Sequence, residues 1–289
     1  MNIITIIISV VAYLILAPFI GGLLAGIDRR ITARMQGRFG PPILQPFYDF
    51  FKLFEKEKIT VNKVQDFYVF CFFIFIVVTG AFFFAGLSLL LVIFTLTLAS
   101  VFLIVAAFSS NSPFAQVGAE RELLQMLAYE PMVLITAIGF YMFTGTFDVK
   151  GIMVGDKLPL LYLIGIFLGY IFILTIKFRK SPFDLSMSHH GHQELVAGLK
   201  TEFSGRTLAL IEAAHWYENI FLLGFVFLFF MNGTIWGAVI GVVVCLLTYF
   251  LEVFIDNSFA RMKWEFAINS AWIVALILGS INLFVLLYI

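Results

Sequence analysis

The side chains best suited to chemistry in this 289-residue chain are acids and histidines inside or beside long apolar segments. Glu130 precedes Pro131 within one such segment, and Glu212, His215 and Glu218 recur every third residue. Residues at that spacing stack along one side of a helix. An ionisable group in hydrocarbon is costly and usually functional. The pattern predicts groups that pass protons or shift charge, unless each acid is only paired with an arginine of the same protein.

A second polar group lies between residues 177 and 207, where three of the four histidines, His189, His190 and His192, occur within four positions. Their spacing matches no compact zinc motif and no cysteine lies nearby, so a metal site is disfavoured. The segment is either a solvated loop or the polar lining of a cavity at the membrane surface. The proton acceptors and ion-pair partners for such a lining are Asp184, Glu194, Glu202, Arg179 and Lys180.

The composition places these groups in a membrane protein. Hydrophobic residues make up 62% of the chain and charged residues only 12%, which predicts an all-α polytopic membrane protein with a single membrane domain over residues 1–289. The formal net charge of zero makes nucleic acid an implausible partner. Two cysteines are too few for an iron-sulfur cluster, which needs about four thiolates, so we expect no redox centre or metal in this chain.

Apolar segments of about 20 residues predict eight transmembrane helices. The uncharged run 67–110 would be roughly 66 Å long as one helix, so it must form two spans with a turn near Gly86 and Ser88. The other predicted spans cover 3–27, 122–144, 158–176, 208–230, 235–254 and 271–289. Glu252 falls near the end of the seventh span, where simple pairing is the favoured interpretation.

The loops are strongly biased in charge. Those at about 28–66, 109–121, 177–207 and 255–270 carry all but two of the 18 lysines and arginines. The positive-inside rule therefore puts these loops in the cytoplasm and both termini outside. No internal repeat is visible, and polarity is concentrated at one surface, which disfavours a free-standing ion transporter.

The first of these loops combines arginines with an amphipathic segment. After Pro46, a suitable first helical residue, Phe47, Phe50, Phe51 and Phe54 fall on one helical face, which predicts a short helix at the membrane interface. The basic residues before it are Arg29, Arg30, Arg34 and Arg38. They either only snorkel along the membrane surface, or bind a soluble partner or a quinone-like headgroup, and the sequence leaves these alternatives open.

Seven short stretches in order resemble one family, the H-type membrane proteins (subunit 1 in mitochondria) of NADH:quinone oxidoreductase, or complex I, and their relatives in energy-converting hydrogenases. They are D-R-R at 28–30, G-R-F-G-P-P-I-L-Q-P at 37–46, S-S-N-S at 109–112, L-A-Y-E at 127–130, S-P-F-D at 181–184, Q-E-L at 193–195 and T-E-F-S-G at 201–205. The predicted number of spans agrees with that family.

Some positions depart from the quinone-reducing members. Pro42 directly follows Pro41 where those members carry asparagine, Asp28 stands where they have glutamate, and histidines replace acids after the S-P-F-D stretch. These departures resemble the group 4 nickel-iron hydrogenases of the Ech, Mbh and formate hydrogenlyase types. We therefore expect a hydrogenase subunit, with a quinone-site subunit of a complex I-like oxidoreductase as the alternative.

The resemblance implies a multi-pass subunit of the prokaryotic cytoplasmic membrane that couples ferredoxin-driven proton reduction to movement of protons or sodium ions. The nickel-iron and 4Fe-4S centres would belong to partners: the large and small hydrogenase subunits and an iron-sulfur subunit, beside antiporter-like membrane subunits. The implied cavity under this peripheral arm is surrounded by Asp28, Arg29, Arg30, Asp184, Glu194 and Glu202. Glu130 would belong to a buried path leading away from it, and Glu212 and His215 have approximate counterparts.

Overall fold

The computed structural model describes residues 3–57, 59, 62–155, 157–187 and 195–288. The predicted site residues His189, His190, His192 and Glu194 lie outside these ranges. The described part is helical, with the long helices α1 (Ile3–Met35), α3 (Lys63–Phe84), α4 (Leu89–Phe108), α5 (Pro113–Thr144), α9 (Gly205–Leu228) and α10 (Ile235–Ser258). The other helices are α2 (Gln45–Glu55), α6 (Val149–Met153), α7 (Pro159–Tyr162), α8 (Ile164–Lys177), α11 (Trp264–Val274) and α12 (Ile281–Leu287). A π-helical turn over Ala275–Ser280 joins the last two helices.

Six helical segments in the described ranges are long and apolar enough to cross a membrane: α1, α3, α4, α5, α10 and the continuous segment Trp264–Leu287. The predicted turn near Gly86 is confirmed, because α3 ends at Phe84 and Gly86 adopts a positive φ of 82° that glycine tolerates. An all-α polytopic membrane protein is therefore the fold.

The remaining two predicted spans do not meet the same criterion. The fifth is divided at Leu163 into α7 and the short apolar helix α8 of 14 residues. The Asn282 side chain spans this break, since it accepts a hydrogen bond from the Ile166 amide at 3.0 Å and donates one to the Tyr162 carbonyl at 2.8 Å. The sixth corresponds to α9, which is long enough but carries Glu212, His215 and Glu218.

Two helices extend beyond their predicted ends. α1 continues through Met35, so Arg29, Arg30 and Arg34, expected in a loop, lie on its final turns. α5 begins at Pro113, a residue whose fixed φ suits the first turn of a helix, and this places Glu122 inside the helix instead of at its start. Charged residues near a membrane boundary extend a helix as well as apolar ones do, so hydropathy alone misjudges these ends.

The helix that carries Glu130 contains a proline at the next position. Pro131 has no amide hydrogen, so the carbonyl of Leu127 four residues earlier loses its helical partner. The indole nitrogen of Trp272 donates to that carbonyl at 3.3 Å. A side chain of α11 therefore supplies the hydrogen bond that the Leu127 carbonyl of α5 lacks, and this contact joins the two helices beside Glu130.

Candidate functional site

A cavity of about 470 Å³ lies where the ends of α1, α8, α9 and α10 meet. Its described lining includes seven lysines or arginines and four aspartates or glutamates, so the lining is charged with a basic excess. The predicted site residues on it are Asp28, Arg29, Arg38, Arg179, Asp184, Glu212 and His215. The structure thus brings together residues from three of the loops that the sequence predicted to share one surface.

Arg179 lies at the inner end of this cavity. It directly follows α8 and adopts a positive φ of 52°. Its guanidinium donates to Glu122 on α5 at 2.7 Å, contacts the Nδ1 atom of His215 at 3.2 Å and lies 3.7 Å from Glu218. Burial lowers the pKa of Arg179, and the carboxylates of Glu122 and Glu218 raise it by a larger amount. The net pKa is therefore above the ordinary value, and the side chain stays a cation.

A second buried cation, which also lines the cavity, belongs to this group. The Nζ atom of Lys177 donates to Glu218 at 2.9 Å and lies 4.3 Å from the centre of the Tyr129 ring. Both charged side chains are less than 5% exposed. His215 Nδ1 also lies 3.3 Å from Glu218. We call these connected residues the Arg179 cluster: Glu122, Lys177, Arg179, His215 and Glu218.

Lys180, the next residue, faces a different pair of helices. Its Nζ atom binds the carboxylates of Asp28 on α1 and Asp256 on α10, the latter at 3.3 Å. The Ser181 amide donates to the other oxygen of Asp256 at 2.8 Å. Burial lowers the pKa of Lys180 and the two aspartates raise it, with a net increase. We call Asp28, Lys180 and Asp256 the Lys180 cluster.

Two further ion pairs lie on the cavity wall. Lys200 binds Glu212 at 2.7 Å, and Arg261 binds Asp184 at 2.9 Å. The three residues predicted to stack along α9, Glu212, His215 and Glu218, therefore have different ion-pair partners. Glu212 and His215 both line the cavity, but His215 belongs with Glu218 to the Arg179 cluster, and Glu218 does not reach the lining.

Three predicted residues lie elsewhere. Arg30 and Arg34 line a separate apolar groove between α1 and α10, beside Phe250 and Phe254. Glu202 is half-buried and does not belong to the described cavity lining. The sequence predicts the four arginines in one loop, but residues along α1 point to different sides of the helix, so Arg29 lines the cavity and Arg30 and Arg34 do not.

Glu130 also lies away from the cavity lining. It is eight residues from Glu122 on α5, a rise of about 12 Å. Its side chain is half-buried, and its Oε1 atom has no hydrogen-bond partner among the described residues. It is thus an acid inside the bundle that no described ion pair neutralises.

The short helix predicted after Pro46 is confirmed as α2. Phe47 and Phe50 pack against Trp216 on α9, with ring centres 5.2 and 5.6 Å apart, whereas Phe51 is 60% exposed. Arg29 binds Asp49 at 2.8 Å and attaches the polar edge of α2 to α1. Burial raises the pKa of Asp49, but hydrogen bonds from Arg29 and Gln45 outweigh it and lower the pKa overall.

Sequence reasoning missed several members of the two clusters. Glu122 and Lys177 fell at the predicted edges of spans, where charges are common, and Asp256 falls just beyond a predicted span. Glu252 was expected to be paired, but both its oxygens lack a hydrogen-bond partner among the described residues and the residue is fully buried. A search for charged residues within one turn of a span end would have found the three that were missed, Glu122, Lys177 and Asp256.

Comparison with known proteins identifies the family. The model of the NADH dehydrogenase family matches residues 6–287. The chain belongs to the NADH dehydrogenase family. It is 27% identical to hydrogenase-4 component C of Escherichia coli K12 over 87% of each chain. It is 28% identical to the H-type subunit of NADH-quinone oxidoreductase from Geobacillus sp. strain WCH70, over 94% of this chain and 90% of the relative.

A solved structure of the membrane-bound sulfane sulfur reductase, an archaeal respiratory membrane complex, is similar throughout. It is 26% identical, with a TM-score of 0.86 over 97% of this chain and 99% of that chain. These family members are subunits of oxidoreductase complexes. This chain is accordingly a membrane subunit of a complex I-like, multisubunit oxidoreductase of the electron-transport type.

Proposed function

We propose that this chain is the membrane-anchoring and ion-coupling subunit of a ferredoxin-dependent, proton-reducing nickel-iron hydrogenase complex. In this proposal the metal centres lie in peripheral subunits docked over the cavity. Electron transfer there changes the charge at the cavity, and the buried clusters transmit that change to the groups that move protons or sodium ions. Antiporter-like membrane subunits would be the neighbours that carry the ions.

One observation carries the coupling role: a connected set of buried charges leads from the cavity into the bundle. Lys177, Arg179 and His215 lie on the cavity lining, and the cluster continues from them to Glu122 and Glu218, which are not on the lining, at distances below 4 Å. Charges in a low-dielectric interior interact strongly, so a change in the protonation of one alters the others. A subunit that only anchored its partners would not need ionic groups there, because buried ion pairs rarely add net stability.

The chemistry of the cavity favours the hydrogenase branch over quinone reduction. Small-molecule pockets are predominantly apolar with a few polar groups, and a quinone carries a hydrophobic tail. The described lining here has the opposite balance, since more than half of its residues carry a charge. Similarity to hydrogenase-4 component C supports the same branch. The quinone-site alternative is supported by the similarity to the H-type proteins of NADH-quinone oxidoreductase.

Purification of the native complex tests the branch. The hydrogenase proposal predicts that nickel and iron co-purify with this chain and that reduced ferredoxin drives hydrogen evolution. A complex without nickel that reduces a quinone in the same preparation would replace it with the alternative. A chain that purifies alone, without redox subunits, would overturn both.

Coupling is tested separately with Glu130→Gln, which keeps the shape of the side chain but cannot bind or release a proton. The variant should assemble and should retain hydrogen evolution in detergent, with reduced ion transport into vesicles. Glu265→Gln is the matched control, since Glu265 is exposed at the start of α11. Normal ion transport by both variants would contradict a role for Glu130.

A further inference from the structure

Glu252 on α10 differs from the acids of the two clusters because no cation of the described residues lies within ion-pair distance of its carboxylate. It is completely buried, and neither carboxylate oxygen has a hydrogen-bond partner among the described residues. A buried ionised carboxylate without a donor or a cation is so costly that such a group takes up a proton instead. The surroundings of Glu252 thus favour the neutral acid.

The two neighbouring charges act on Glu252 in opposite directions, since the Lys180 cation attracts an ionised carboxylate there and the Asp256 carboxylate repels it. Asp256 follows Glu252 by four residues on the same helix, so the two side chains are neighbours on one face. Two negative charges at that spacing repel each other. Asp256 accepts hydrogen bonds from Lys180 and the Ser181 amide, whereas Glu252 accepts none from the described residues.

A route to the cavity lies one turn away in each direction. Tyr249 precedes Glu252 by three residues and Asp256 follows by four, and both belong to the cavity lining. Lys180 lies on the same lining and is held at 3.3 Å from Asp256. A proton at Glu252 is therefore separated from the cavity by a single layer of side chains.

We propose that Glu252 is a proton-binding site of the coupling machinery, distinct from the Arg179 cluster and controlled by the Lys180 cluster. While Lys180 is held by Asp28 and Asp256, Glu252 keeps its proton as a neutral acid. When a change at the cavity releases Lys180 from Asp28, the ammonium group can approach Glu252. The carboxylic acid then loses its proton to the cavity, and the carboxylate pairs with Lys180.

This inference rests on the proposed coupling function, but its first test does not. Infrared spectroscopy of the complex detects the carbonyl stretch of a protonated carboxylic acid without strong hydrogen bonds. Glu252→Gln should abolish such a band, and Glu252→Asp should shift it. Glu265→Gln should leave it unchanged. A spectrum in which Glu252→Gln removes no protonated-acid band would overturn the proposal.

The second test measures ions moved per electron in vesicles. Glu252→Gln should lower this ratio at an unchanged level of assembled complex and unchanged detergent-phase redox turnover, and Glu252→Asp should restore part of it. If Glu130→Gln uncouples the complex and Glu252→Gln does not, the inference on Glu252 fails while the proposed function survives. If neither variant changes the ratio, the coupling function itself fails. If Glu252→Gln does not assemble, a band that is unshifted in Glu252→Asp contradicts the proposal.

Discussion

Two adjacent cations, Arg179 and Lys180, hold two clusters that differ in depth. Arg179 binds carboxylates that are 9% and 3% exposed, whereas the aspartates bound to Lys180 are 17% and 25% exposed. The left-handed backbone of Arg179 sends these neighbours to opposite sides, toward α5 and α9 in one case and α1 and α10 in the other. The difference indicates that the deeper cluster holds the bundle together, while the shallower one can rearrange.

The largest difference between the two clusters is expected for the variant Arg179→Gln. It removes the cation that binds Glu122 and one of the cations that neutralise Glu218. Removing one partner from a buried ionic group costs about 3–5 kcal/mol. We expect a large loss of assembled complex and a lower thermal unfolding temperature in detergent. An assembly level equal to that of Lys180→Gln would show that depth does not separate the clusters.

A double replacement of Lys177 by Met and Glu218 by Leu tests whether the deeper cluster serves stability or ion transport. Either single change leaves a buried charge, with a cost of about 3–5 kcal/mol, whereas an apolar pair of similar volume is often neutral. The double variant should therefore unfold at a higher temperature than either single variant. It should still transport fewer ions per electron, because the charges have gone. Normal transport by a stable double variant would confine this pair to a structural role.

For the shallower cluster, we expect Lys180→Gln to cost about 2 kcal/mol, as for hydrogen bonds to charged groups. The pKa of Lys180 is raised in the folded protein, so its contribution is fully present below the ordinary lysine value of about 10.4. That contribution is lost as the pH rises past the raised folded value. The stability difference from the native protein should be constant near neutral pH and should shrink under strongly alkaline conditions. A difference that grows with pH would contradict this assignment.

The smallest effect is expected at the exposed Arg29–Asp49 pair. Exposed ion pairs contribute about 0–1 kcal/mol and are screened by salt. Arg29→Gln should leave the unfolding temperature nearly unchanged. If Arg29 also contacts the peripheral arm, the variant should release the arm at lower salt than the native complex does. Lys263→Gln, an exposed basic residue between α10 and α11, is the control.

Much of the fold was predictable, and the reasons are specific. The turn at Gly86 and the helix at Gln45–Glu55 followed from the length of the uncharged run and from the spacing of four phenylalanines. The break at Leu163 was not predictable, because it is stabilised by Asn282 from more than one hundred residues away. The helix at Glu130 tolerates Pro131 for a similar reason, since Trp272 supplies the missing donor.

The candidate site divides in the same way. Asp28, Arg179 and Asp184 were expected beside one cavity and line it. The sequence could not separate paired acids from unpaired ones, because Glu218 and Glu252 both fall within predicted spans. Only the positions of Lys177 and Arg179 in space make Glu218 a member of an ion pair, while no described cation lies within that distance of Glu252.

The sequence by itself determined the membrane class, the approximate apolar segments and the family resemblance, because those depend on composition, run length and local motifs. The tertiary structure decided which charges neutralise one another. Arg179 and Glu122 are 57 residues apart in the chain, and Lys180 and Asp28 are 152 apart. Electrostatic energy depends on distance in space and on exclusion of water, and neither quantity is a function of position along the chain.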